Sequence, residues 1–189
     1  MPTEIADGHP VVCVFGSYSP KPGSALWEQA YSIGYALARA GYVVANGGYD
    51  GTMHASAKGA KDAGGRTIGV TCSVFSNYRG KVLKANPCID REICHDDLLR
   101  RIEAMMHMGT AYVILEGGTG TLSEFGIVWE YVCKELIPPR PIFVVGDFWI
   151  PVVETIGRVR PQHCECIHKV ATAEQIVAIL GPASPPVGR

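Results

Sequence analysis

Ala111-Tyr112-Val113-Ile114-Leu115 runs directly into Glu116-Gly117-Gly118-Thr119-Gly120-Thr121-Leu122-Ser123-Glu124. Apolar, mostly strand-favouring residues enter a Gly-rich turn, and an amphipathic pattern follows as far as Glu135. This predicts a strand, a tight loop and a helix. Glycine lets backbone N–H groups approach an anion with no Cβ in the way, and the start of the next helix adds unpaired donors and partial positive charge. Thr119, Thr121 and Ser123 bring hydroxyls to the same end. Glu124 falls about one turn into the helix, and a carboxylate beside a phosphate cradle points to chemistry rather than to phosphate holding alone. A plainer reading stays open: Thr121 or Ser123 caps the helix and Glu124 complements its dipole.

Working outward, the pattern repeats. Residues 11–15 form an apolar run that ends in Gly16-Ser17-Tyr18-Ser19, and Ser24 opens a helix that stops near Gly41. A second strand over residues 42–45 breaks into Asn46-Gly47-Gly48-Tyr49-Asp50-Gly51-Thr52-Met53, followed by an Ala- and Lys-rich helix ending at Gly64-Gly65. Residues 67–70 form the third strand. Residues 72–87 are polar and irregular, a loop long enough to act as a lid or interface, or a solvated connection. A short strand over 89–93 precedes a helix opened by His95-Asp96-Asp97, with Arg100 and Arg101 in its second turn. Beyond the quoted stretch come strands over 140–145 and 165–170 and helices over 148–159 and 173–180.

Alternation of this kind predicts a Rossmann-like three-layer α/β sandwich, its sheet mostly parallel with helices on both faces. One such domain spans residues 11–181, with tails over 1–10 and 182–189. The ligand belongs outside the carboxyl ends of the strands, where three polar or Gly-rich loops converge. Neither Gly loop reads as Gly-x-Gly-x-x-Gly with a following acidic ribose binder. A mononucleotide or sugar phosphate is therefore favoured over a dinucleotide.

The chain has 189 residues and a net charge of −1, which gives no general attraction to nucleic acid or an anionic membrane. No apolar run is long enough to span a bilayer, and no signal peptide is apparent, so the cytoplasm is the expected compartment. The seven cysteines suit buried thiols better than a disulfide scaffold. His163-Cys164-Glu165-Cys166-Ile167-His168 has metal-ligating residue types, but Cys-x-Cys lacks the spacing of common zinc sites. Strand alternation would put both cysteines on one face, and no metal is expected.

With these residues in hand, the chain resembles the LOG-like family of Rossmann-type proteins, once labelled lysine decarboxylases. Characterised members are nucleoside 5′-monophosphate phosphoribohydrolases. The family's Pro-Gly-Gly-x-Gly-Thr-x-x-Glu corresponds to residues 116–124, its upstream glycines and Gly-Leu-Met to residues 46–53, and its Gly-Ser-Ser to Gly16-Ser17-Tyr18-Ser19. The similarity covers residues 11–180. Two positions depart from it: Glu116 stands where the family has proline, and Arg101-Ile102 where it has Arg-Lys. Glu116 would repel a phosphate unless it points away, and Ile102 removes a cation. Related members of the wider superfamily bind molybdenum cofactor or nucleotide-like signals.

The resemblance implies that Glu124 and Arg101 are catalytic. It implies that Gly16, Ser17, Ser19, Gly47, Gly48, Gly51, Met53, Gly117, Gly118, Thr119, Gly120 and Thr121 bind phosphate and nucleotide. Glu124 would stabilise the oxocarbenium character as the N-glycosidic bond breaks, or orient the attacking water. Arg101 would contact phosphate or ribose, with Asp50 and Glu116 as possible helpers. Base recognition would draw on Tyr18, Tyr49 and residues 72–87. A homodimer is implied, and no cofactor. Pyridoxal phosphate chemistry needs a Schiff-base lysine, and only Lys21 lies in or next to the three loops, without a partner. The alternative is a non-catalytic carrier of a nucleotide or of molybdenum cofactor.

Overall fold

The computed structural model describes residues 8–75 and 82–184. Its strands are β1 (Val11–Phe15), β2 (Val43–Asn46), β3 (Thr67–Cys72), β4 (Arg91–His95), β5 (Ala111–Ile114), β6 (Ile142–Val145) and β7 (Ile167–Val170). Its helices are α1 (Ala25–Arg39), α2 (Thr52–Asp62), α3 (Leu98–Met108), α4 (Thr119–Cys133), α5 (Ile150–Val159) and α6 (Ala173–Leu180). The strands form one sheet in the order β4-β3-β2-β1-β5-β6-β7, and every pairing is parallel.

A parallel sheet buried on both faces needs strands that are apolar on both sides. β1 meets that demand with Val-Val-Cys-Val-Phe, every residue buried. Alternate residues feed two cores. Cys13, Phe15, Val70, Tyr112 and Ile114 pack against α3, α4 and α5 on one face. Val12, Val14, Val44, Val113 and Leu115 pack against α1, α2 and α6 on the other. The edges are polar, with Arg91, Glu92 and His95 on β4 and His168 and Lys169 on β7, which discourages pairing with another chain.

The three-layer α/β architecture is as expected, and several boundaries move. The fourth strand occupies Arg91–His95, so His95 closes a strand rather than opening a helix. α3 starts at Leu98 behind Asp97, whose carboxylate accepts from the N–H groups of Leu99 (2.8 Å) and Arg100 (3.1 Å). Arg100 and Arg101 thus fall in the first turn. Cys164 lies in a 3₁₀ turn (Pro161–Cys164) and Cys166 precedes β7, so the two do not share a strand face. Here Pro161 starts the 3₁₀ turn, and the His163 carbonyl accepts the Trp129 indole N–H (2.6 Å).

Within 72–87, Cys72 ends β3 and residues 73–75 form a 3₁₀ turn, while residues 76–81 lie outside the described residues. Ala183 N–H donates to the Ala40 carbonyl, so packing continues past α6. Among the described residues no helix is long and apolar enough to cross a membrane.

Candidate active site at the switch point of the sheet

β1 pairs with β2 on one side and β5 on the other, so the chain direction of the crossovers reverses there. In open α/β sheets this switch point, outside the carboxyl ends of the strands, is where ligands bind. Backbone hydrogen bonds lace the loops that follow these strands together. Ser17 N–H donates to the Glu116 carbonyl (3.1 Å), and the Ser17 carbonyl accepts from Thr52 N–H (2.9 Å) and the Thr52 hydroxyl (3.0 Å). Gly16 packs against Thr52 and Leu115, and Ser19 N–H donates to the Ser17 hydroxyl. The three loops anticipated from sequence are therefore brought together.

The turn after β5 leads into α4 with Gly118 at the N-cap and no side chain capping the helix. The Ser123 hydroxyl instead donates to the Thr119 carbonyl, and Thr121 fills the space beside Gly117. Neither hydroxyl caps the helix. No atom lies within 4 Å of where a Cβ would stand on Gly118 or Gly120. The first N–H groups of a helix have no intrahelical acceptor, so this end offers an open, positively polarised donor set.

One turn further on, Glu124 meets Arg101 from α3. Arg101 Nη1 donates to Glu124 Oε1 at 3.0 Å, and Arg101 Nε to the Val70 carbonyl at 2.6 Å. Arg101 is 6% exposed and Glu124 8%, whereas neighbouring Arg100 is exposed. Burial pushes the Glu124 carboxyl above the usual glutamate range, and the Arg101 guanidinium pulls against it. Cys13 on β1 feels the Glu124 charge, and burial holds its thiol at a pKa of about 12.

The loop after β2 walls the guanidinium. A Cβ on Gly47 would collide with Arg101 Nη2 and reach within 2.6 Å of Met53 Sδ, so only glycine permits this approach. Asn46 is fully buried. Its Oδ1 accepts from Gly48 N–H (2.8 Å), and its Nδ2 donates to the Met53 carbonyl (2.9 Å) and the Ser56 hydroxyl (3.1 Å). Gly51 is the N-cap of α2 and abuts Ser17 and Tyr18. Asn86, from the β3–β4 connection, binds the Gly48 and Tyr49 carbonyls.

Asn46, Asn86 and the Val70 carbonyl were not among the residues singled out from sequence. The Asn-Gly and Asn-Pro pairs are turn signals that mark two of them. Tyr49 does not present its hydroxyl to the candidate site, because that hydroxyl donates to the Cys72 carbonyl and accepts from Cys72 N–H. Tyr18 and Asp50 are exposed. Ile102 is buried in the core. Glu116 lines a cavity of about 300 Å³ with Gln29, Asp147 and Phe148.

Residues 9–140 match the model of the SLOG cluster4 family. An uncharacterized protein of Archaeoglobus fulgidus is 38% identical over 62% of this chain and 73% of its own length. A Mycobacterium tuberculosis protein named cytokinin riboside 5′-monophosphate phosphoribohydrolase is 34% identical over 62% of this chain and 61% of its own length. Among solved structures, the molybdenum cofactor binding protein of Rippkaea orientalis superposes with a TM-score of 0.71 at 21% identity. That match covers 90% of this chain and 94% of the neighbour, and at this identity it speaks to the fold.

Proposed function

The chain belongs to the SLOG cluster4 family, and from that premise we propose that it hydrolyses the N-glycosidic bond of a nucleoside 5′-monophosphate, releasing free base and ribose 5-phosphate. The observation that carries the reading is the buried Arg101–Glu124 pair one turn behind an uncapped helix N-terminus. The matched relatives named phosphoribohydrolase support it at family level.

The 5′-phosphate lies on the N–H groups at the start of α4, beside the open faces of Gly118 and Gly120. Gly16, Ser17, Ser19, Gly47, Gly48, Gly51 and Met53 form the opposing wall for ribose and base. C1′ faces Glu124. As the glycosidic bond breaks, its electron pair leaves with the base nitrogen, and positive charge grows on the ribose. The carboxylate stabilises that charge and takes a proton from the water that adds at C1′, while the departing base gains a proton from solvent. Arg101, with Nε held by Val70 and Nη1 by Glu124, keeps the carboxylate oriented and ionised. The working form is a cytoplasmic homodimer, with no cofactor in the reaction; light scattering reports the dimer.

The test is to incubate the protein with AMP, GMP, CMP, UMP and IMP and score free base and ribose 5-phosphate. Base release that Glu124→Gln abolishes is the expected result. No release from any of the five overturns the hydrolase.

A second reading, a carrier of a nucleotide or phosphorylated pterin, is favoured by one observation. Ile102 is buried in the core, and Arg101 spends Nε on the Val70 carbonyl and Nη1 on Glu124, so neither residue is given over to a phosphate. Tight binding without turnover would mark the carrier.

A further inference from the structure

Asn86 is 6% exposed and sits in the connection between β3 and β4, on a different element from either member of the pair. Its hydrogen-bonding groups are spent largely on the loop after β2. Its N–H donates to the Gly48 carbonyl at 2.8 Å, and its Nδ2 donates to the Gly48 carbonyl at 3.0 Å and the Tyr49 carbonyl at 2.9 Å. Its Oδ1 accepts from Cys88 N–H at 3.0 Å, which fixes the side chain in the orientation that aims the amide donors at the loop.

The Gly48 unit is thereby gripped from two directions. Asn46 holds its N–H from inside the sheet, and Asn86 holds its carbonyl from outside. Gly48 has φ of +81°, a conformation that other residues adopt only at a cost, so the loop does not hold this shape by preference alone. Gly47, next along the same loop, touches Arg101 Nη2. Of the Arg101 nitrogens, Nε and Nη1 are hydrogen-bonded, while Nη2 meets the Gly47 wall. The chain of contact runs from Asn86 to Gly48, Gly47, Arg101 and Glu124.

We infer that Asn86 is a positioning residue for the Arg101–Glu124 pair, acting through the Gly48 peptide. The inference rests on the reading of Glu124 as the reacting carboxylate. Without the two Nδ2 donors, the Gly48 and Tyr49 carbonyls turn toward water, and the wall at Gly47 loosens. Arg101 then holds the carboxylate less closely, and Glu124 binds its proton more tightly. Among the described residues, Cys13 on β1 interacts electrostatically with Glu124 and also with Arg140, and Tyr49 in the loop after β2 interacts with Arg101, Cys72 and Cys94. Cys13 and Tyr49 have raised pKa values, so both stay neutral over the range in which Glu124 titrates.

The experiment is a carboxyl-carbon NMR titration of Glu-labelled protein, with the Glu124 resonance identified by its loss in Glu124→Gln. In Asn86→Ala the Glu124 midpoint should rise by about half a pH unit or more. Asn86→Ser, which keeps one short donor, should shift it the same way by less. Where base release is measurable, kcat should fall about tenfold, by more than KM rises, and its rising pH limb should move with the titration. A midpoint unmoved in folded Asn86→Ala or Asn86→Ser, with only the melting temperature lowered, overturns the inference. Absence of base release by the unsubstituted protein overturns the hydrolase reading instead, and the titration still decides the role of Asn86.

Discussion

At Glu124, the proposed activity and the stability of the fold pull in opposite directions. Its pKa in the folded chain is raised above the ordinary 4.5 because burial outweighs the pull of Arg101. Between the unfolded and folded midpoints the folded state holds more protons, so this group's contribution to stability is present below that window and is lost as pH rises through it. The proposed hydrolysis needs the carboxylate, so under that proposal base release should climb through the same window. Urea melts and initial rates over one pH series would show opposite slopes, and Glu124→Gln should flatten the stability slope.

Truncation is a different matter from that exchange. Glu124→Ala leaves a buried guanidinium without its partner and should cost about 3–5 kcal/mol in chemical denaturation. The resemblance singled out Glu124 through the Gly-Gly-x-Gly-Thr-x-x-Glu run and Arg101 by the count back to the preceding helix, and the structure pairs the two side chains. Asn86 was not legible in the sequence. It acts on Gly48, 38 residues away, and nothing in its own neighbourhood records that contact.

At the scale of single elements, the two helices that carry the pair begin differently. α3 is capped by Asp97, and α4 by no side chain. Asp97→Ala should cost about 0.5–2 kcal/mol and loosen the turn that presents Arg101, lowering both melting temperature and rate. Gly120→Ala should separate the two properties. Alanine favours a helix over glycine by about 1 kcal/mol and a Cβ there meets nothing, so the melting temperature should rise. The same Cβ would crowd a phosphate on the α4 N-terminus, so nucleotide affinity by calorimetry should fall. Gly41 and Gly64 marked the ends of α1 and α2 well, because glycine adopts positive φ at such sites at no steric cost. β4 was placed two residues too early. It is an edge strand with an exposed, charged face, so it lacks the apolar run that defined β1.

For the whole molecule, alternating strands and helices made the layered parallel sheet legible, since crossovers of this length leave few other arrangements. The strand order was not spelled out, because each interior strand is apolar on both sides and none carries a label for its neighbour. That order has a kinetic consequence. The loops of the candidate site meet only once β1 has found both partners, and Thr110 bonds to Val11 across 99 residues of chain. Contacts this distant are slow to form. In refolding from denaturant, helical signal should return before nucleotide binding does. The most distant pairing of the central strand therefore sets the clock for acquiring a working site, and a ligand can retain that site only after the chain has finished building it.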